Sequence, residues 1–134
     1  MSISELIERL ESATGPNYAL EIDIFKYLHP EYADYVQGRG GLIHPCDGED
    51  VRVQSNVRQP NYTASLDAAV AVADRLLPGW RNSSIKTGDT EYAAYVWEFN
   101  DGRQPEAFVE HVKSSRAIAL CIAILKAKQA QDAP

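Results

Sequence analysis

A chain of 134 residues, 45% of them hydrophobic, can build one domain around a single core and is too short for two ordinary ones. Its 13 Lys and Arg against 19 Asp and Glu give a net charge of −6; a surface of that sign repels phosphate backbones and anionic lipid, which disfavours nucleic acid as a partner. Cys46 and Cys121 are far apart in the chain, indicate neither a zinc ribbon nor a disulfide framework, and fit a reducing, cytoplasmic setting.

Glu5, Glu8 and Glu11 stand where a secretory signal needs positive charge and then an apolar run, so no export signal is read. Ser2 and Glu5 read as a capping box for a first helix with Ile3, Leu6, Ile7 and Leu10 on one face. Gly15-Pro16 stops it, with Gly15 suited to a left-handed cap. A second helix is predicted over residues 17–28, with Leu20, Ile24, Tyr27 and Leu28 on one side and His29-Pro30 as its end. Residues 31–60 are rich in turn formers. Only short strands fit there, at 41–44 and 50–54, and they are read as a hairpin at a sheet edge.

Residues 62–80 make the clearest helix, and the other segments are read as packed around it. Thr63 or Ser65 caps its start, Leu66, Ala69, Val70, Ala73 and Leu77 share a face, and Pro78-Gly79 ends it. A strand then begins within 80–86, and 91–99 is the strongest strand of the chain. Ala93, Tyr95, Trp97 and Phe99 point one way and Tyr92, Ala94 and Val96 the other. Apolar residues on both faces predict cover on both. A further antiparallel strand is predicted over 107–112. Ser114 or Ser115 caps a last helix whose broad stripe of Ile118, Cys121, Ile122 and Leu125, widened by Leu120 and Ile124, implies deep burial. The apolar run 117–125 is far short of the roughly twenty residues that cross a bilayer. Residues 129–134 are read as a loose tail.

Four segments together resemble the phage ABA sandwich domain family, small proteins of phages and prophages: Leu6-Ile-Glu-Arg-Leu10, Tyr62-Thr-Ala-Ser-Leu-Asp-Ala-Ala69, Leu77-Pro-Gly-Trp80 and Ala117-Ile-Ala-Leu-Cys-Ile-Ala-Ile-Leu-Lys-Ala127. They cover most of the chain outside 31–60. Arg116 stands where members tend to have proline, and Asp74-Arg75 lengthens the helix before Pro-Gly-Trp. The resemblance implies a phage or prophage origin and an α+β fold, a three-layer alpha-beta-alpha sandwich with a small, mostly antiparallel sheet and helices on both faces. It brings no catalytic residues to carry over.

The residues themselves offer few chemical constellations. His44-Pro45-Cys46-Asp47 gathers soft ligands, but a metal site would need His29 or His111 as well, and the spacing matches no metal motif; a polar loop with an incidental cysteine is the preferred reading. Gly38-Arg39-Gly40-Gly41 lacks the Lys and Ser/Thr of a phosphate loop and reads as a turn. Ser65 and Ser115 read as caps, lacking the surroundings of a nucleophile elbow. Cys121 reads as a core residue. Glu110 and His111, as neighbours on one strand, point to opposite faces. No catalytic residue, cofactor or metal is assigned.

Tyr27, Tyr32 and Tyr35 offer an aromatic surface of the kind enriched at protein interfaces, with packing against core and loops as the alternative. Tyr32, Tyr35, Arg39, His44 and Asp47 make up the candidate partner-binding surface. The functional expectation is a non-enzymatic phage accessory protein in the host cytoplasm that binds a host or phage protein, an inhibitor of a bacterial defence system being one concrete version. A small enzyme with its site in 31–60 and a structural phage component are the alternatives. A homo-oligomer is compatible with the reading; a membrane partner is not.

Overall fold

Ser2 opens the first helix by accepting a hydrogen bond from the Glu5 amide at 3.2 Å. A computed structural model of the chain describes residues 2–38, 41–43, 56–57, 59–98 and 108–132, and in it this helix, α1, spans Ile3–Ser12 and buries Leu6, Ile7 and Leu10. It ends at an extended Ala13. Gly15 does not take the left-handed cap predicted for it; among the described glycines only Gly79 has a positive φ, +84°. Helix α2 (Tyr18–Leu28) is capped by Asn17, whose side chain accepts from the Leu20 amide.

After a 3-10 turn at Pro30–Tyr32, strands β1 (Val36–Gly38), β2 (Gly41–Ile43) and β3 (Asn56–Val57) form a small antiparallel sheet in that order. β2 pairs with β1 on one side and β3 on the other; of the hairpin expected between 41–44 and 50–54, the second strand lies outside the described residues. β1 was not foreseen, because a three-residue strand has too few positions for a period of two to register.

Helix α3 (Leu66–Leu76) is capped by Ser65, which accepts from the Ala68 amide at 3.3 Å. Gly79 supplies the left-handed residue that turns the chain out of the helix. Strands β4 (Arg81–Lys86), β5 (Tyr92–Trp97) and β6 (Phe108–Lys113) form the second antiparallel sheet, with β5 in the middle. Helix α4 (Arg116–Asp132) follows, with the Ser115 hydroxyl accepting from the Ile118 amide at 3.3 Å. Residues 129–132, read above as a loose tail, are its last turn. Gln129 donates to Ser4 at 2.7 Å and Lys128 pairs with Asp132 at 3.3 Å, which ties that turn down.

The organising element is α4, not α3. Residues 117–125 are all buried, as expected of a helix apolar all round. One side of α4 lies along β4, β5 and β6, and α1 and α3 pack against it as well. Ala94 and Val96 join the core on the side of β5 that meets α4. On the other face Ala93 is buried, while Tyr95 and Trp97 are only half-buried. Among the described residues no helix packs along that second face, so Trp97 is not covered by a helical layer as anticipated. The chain is a mixed α+β protein, layered as sheet, central helix and surrounding helices. Alternation on β5 is genuine, but alanine and amphipathic Tyr and Trp tolerate partial cover that a run of Val or Ile would not. No described helix is long and apolar enough to cross a membrane.

Candidate interaction surface

Helix α2 ends because the residue before a proline is pushed out of helical geometry. His29 caps it at φ −129°, ψ 79°, and Pro30 begins the 3-10 turn. The 3-10 turn is closed by Tyr32 N–H donating to His29 C=O and Ala33 N–H to Pro30 C=O, and a second tight turn by Tyr35 N–H donating to Tyr32 C=O, each at 3.0 Å. This backbone lays Tyr32 over Phe25 with ring centroids 5.4 Å apart and planes 29° from parallel, then sets Tyr35 edge-on to Tyr32 at 4.8 Å and 89°. The His29 ring closes the group, 4.5 Å from Phe25 and 6.3 Å from Tyr32.

Offset-stacked and edge-to-face pairs at these separations are the favoured aromatic geometries. Phe25 is buried and roots the array in the core, whereas Tyr32 and Tyr35 pack against the core and keep part of their surface in solvent. Val36, the next residue, is 53% exposed. Glu31 and Asp34, the chain neighbours of Tyr32 and Tyr35, are exposed, and Glu31 Oε1 lies 3.6 Å from His29 Nδ1. Of the candidate partner-binding residues the structure brings Tyr32 and Tyr35 together. Arg39, His44 and Asp47 lie outside the described residues, as does Cys46. Phe25, His29 and Val36 were not singled out from sequence, although aromatic residues at 25, 29, 32 and 35 form a run that could have been noticed.

A second constellation was also missed. Glu21 is buried on α2, and its Oε2 accepts from both the Thr63 amide at 3.1 Å and the Thr63 hydroxyl at 2.6 Å. The Thr63 oxygen in turn accepts from the Asn17 amide at 2.9 Å. Next to this link the Cys121 thiol faces Tyr62 C=O at 3.5 Å. Burial, reinforced by the Glu21 charge, pushes the thiol pKa up to about 12. Burial also raises the Tyr62 phenol well above its ordinary value; the neighbouring Cys121 adds to the rise and Arg75 opposes it.

Thr63 is fully buried, so the 2.6 Å hydroxyl–carboxylate pair has no access to a substrate. It pins α2 to the turn before α3. Thr63 is therefore not the helix cap it was weighed as; Ser65 is.

Two described clefts add little chemistry. One, of 390 Å³, opens beside Glu8, Arg9, Ser12, Ala13 and Asn17, and Arg9 there is ion-paired with Asp23. The other, of 150 Å³, is lined by Asp23, Lys26, Tyr27 and Ala33. Among the described residues no group of three or more His, Cys, Asp or Glu side chains gathers as a metal site. Compared with family models, curated proteins and solved structures, the chain matches none.

Proposed function

We propose that this protein works by binding another protein, without catalysis of its own, and that the ring array at the exit of α2 is part of the contact surface. The observation that carries the proposal is the Tyr32–Tyr35 pair, held by two successive turns and rooted on buried Phe25. Rigid, half-exposed tyrosines offer a large contact area at low entropic cost, which is why they are enriched at interfaces. The resemblance to the phage ABA sandwich domain family supports a phage or prophage origin, and with it a host or phage protein as partner in the host cytoplasm. Inhibition of a host defence system is the version that this origin and the acidic charge favour.

The test is quantitative capture from infected or lysogenic cells with tagged wild-type protein and a Tyr35→Ala variant whose circular dichroism matches it. A protein enriched by the wild type and lost by the variant is the expected result. Enrichment that is the same for both removes the surface from the account.

A further inference from the structure

The turn that carries the ring array bears two exposed acidic side chains. Between Pro30 and Val36 the ionisable side chains besides the tyrosines are Glu31 and Asp34, both exposed. Within the array His29 Nδ1 lies 3.6 Å from Glu31 Oε1; on the neighbouring helices Lys26 lines the small cleft with Tyr27, and Arg75 donates its Nε–H to Leu28 C=O at 3.1 Å. An aromatic face is itself the negative end of a quadrupole. Tyr32 and Tyr35 stand perpendicular at 4.8 Å, so together they offer a face and an edge rather than a flat platform.

We infer that this surface receives an arginine-bearing segment of the partner protein, an inference that rests on the protein-binding reading above. A guanidinium can stack on a tyrosine and fork onto a carboxylate in one placement, which an ammonium cannot. An apolar segment seated here would strip water from the exposed carboxylates of Glu31 and Asp34 and bring no positive charge of its own. A nucleic acid would bring phosphates against the same two carboxylates. Val36, 53% exposed, provides an aliphatic contact for the stem of the incoming side chain.

The test is titration of the whole protein, labelled at its tyrosines for NMR, with the peptide acetyl-Gly-Arg-Gly-Arg-Gly-amide and with matched peptides carrying citrulline, norleucine or glutamate in place of arginine. The arginine peptide is expected to shift the Tyr32 and Tyr35 ring signals saturably, and less as salt is added. Citrulline keeps the shape without the charge and is expected to leave them in place. Tyr35→Ala, and separately Glu31→Gln with Asp34→Asn, should weaken arginine-peptide binding by about threefold to thirtyfold. Equal binding of the citrulline or norleucine peptide, or no shift with arginine, overturns the inference. If no shift is seen while Tyr35→Ala still abolishes partner capture, protein binding stands and only the basic segment is lost. If capture is also unchanged by Tyr35→Ala, both fall.

Discussion

Thr63 gives both its amide and its hydroxyl hydrogen to one oxygen of Glu21, so that a carboxylate buried on α2 is satisfied by a residue 42 positions later. A buried acceptor deprived of its donor loses far more than the net worth of the hydrogen bond. Thr63→Val keeps the shape and removes the hydroxyl donor, and it is expected to destabilise the fold by about 1–3 kcal/mol. In a double-mutant cycle with Glu21→Gln, denaturant melts should show a coupling energy well above zero. Additive effects would mean that the pair does not fasten the two segments.

Ser65 holds the cap of α3, and its position can be separated from that of Thr63 by their different energetics. Ser65→Ala should cost about 0.5–2 kcal/mol and Ser65→Asp should restore most of it, because either side chain can accept from the helix amides. A chemical melt in which Ser65→Asp is no better than Ser65→Ala would argue against the cap.

The central place of α4 predicts a gradient of truncation costs. Ile122, fully buried on that helix, should lose about 2–5 kcal/mol on replacement by Ala. Val70, half-buried on α3, should lose less than Ile122 in parallel melts. The reverse order would return the organising role to α3.

Alkaline stability follows from Cys121. Its unfolded pKa is near 9.0 and burial raises the folded value to about 12. Below about 9 both states hold the proton and the stabilisation is present in full; above that the unfolded chain binds fewer protons than the folded one, so stability falls as pH rises toward 12. Tyr62, raised in the same direction, adds to the slope. In a Cys46→Ala background, urea melts from about pH 8 to about pH 11 should show this decline, and adding Cys121→Ala should make it shallower. The native thiol should also resist an alkylating reagent until the protein unfolds.

Much of the fold was legible because period and punctuation agreed locally. Ser65 and Ser115 stand before helices and cap them, and β4, β5 and β6 fall at the strands expected over 80–86, 91–99 and 107–112. What could not be read depended on partners distant in the chain. Glu21 looks like a solvated helix acid until Thr63 is folded against it, and residues 129–132 look loose until Gln129 reaches Ser4. The rank of α4 over α3 was also hidden. A helix apolar on every side has almost no amphipathic signal, so the clearer stripe on α3 drew attention to the less central element. At the candidate surface Tyr32 and Tyr35 were visible as residue types, but their stacking on Phe25 required the 3-10 turn that Pro30 starts.

The claim that matters most is that the exit of α2 is a protein contact surface, and site-specific photo-crosslinking tests it most directly. A benzophenone amino acid placed at Val36, beside the intact tyrosines, and in parallel at Asp89, exposed in the β4–β5 turn, is irradiated in cells that express the protein. The account predicts a discrete protein adduct from position 36 that is absent from position 89 and is lost when Tyr35→Ala is added. No adduct from position 36, or the same adducts from both positions, would contradict it.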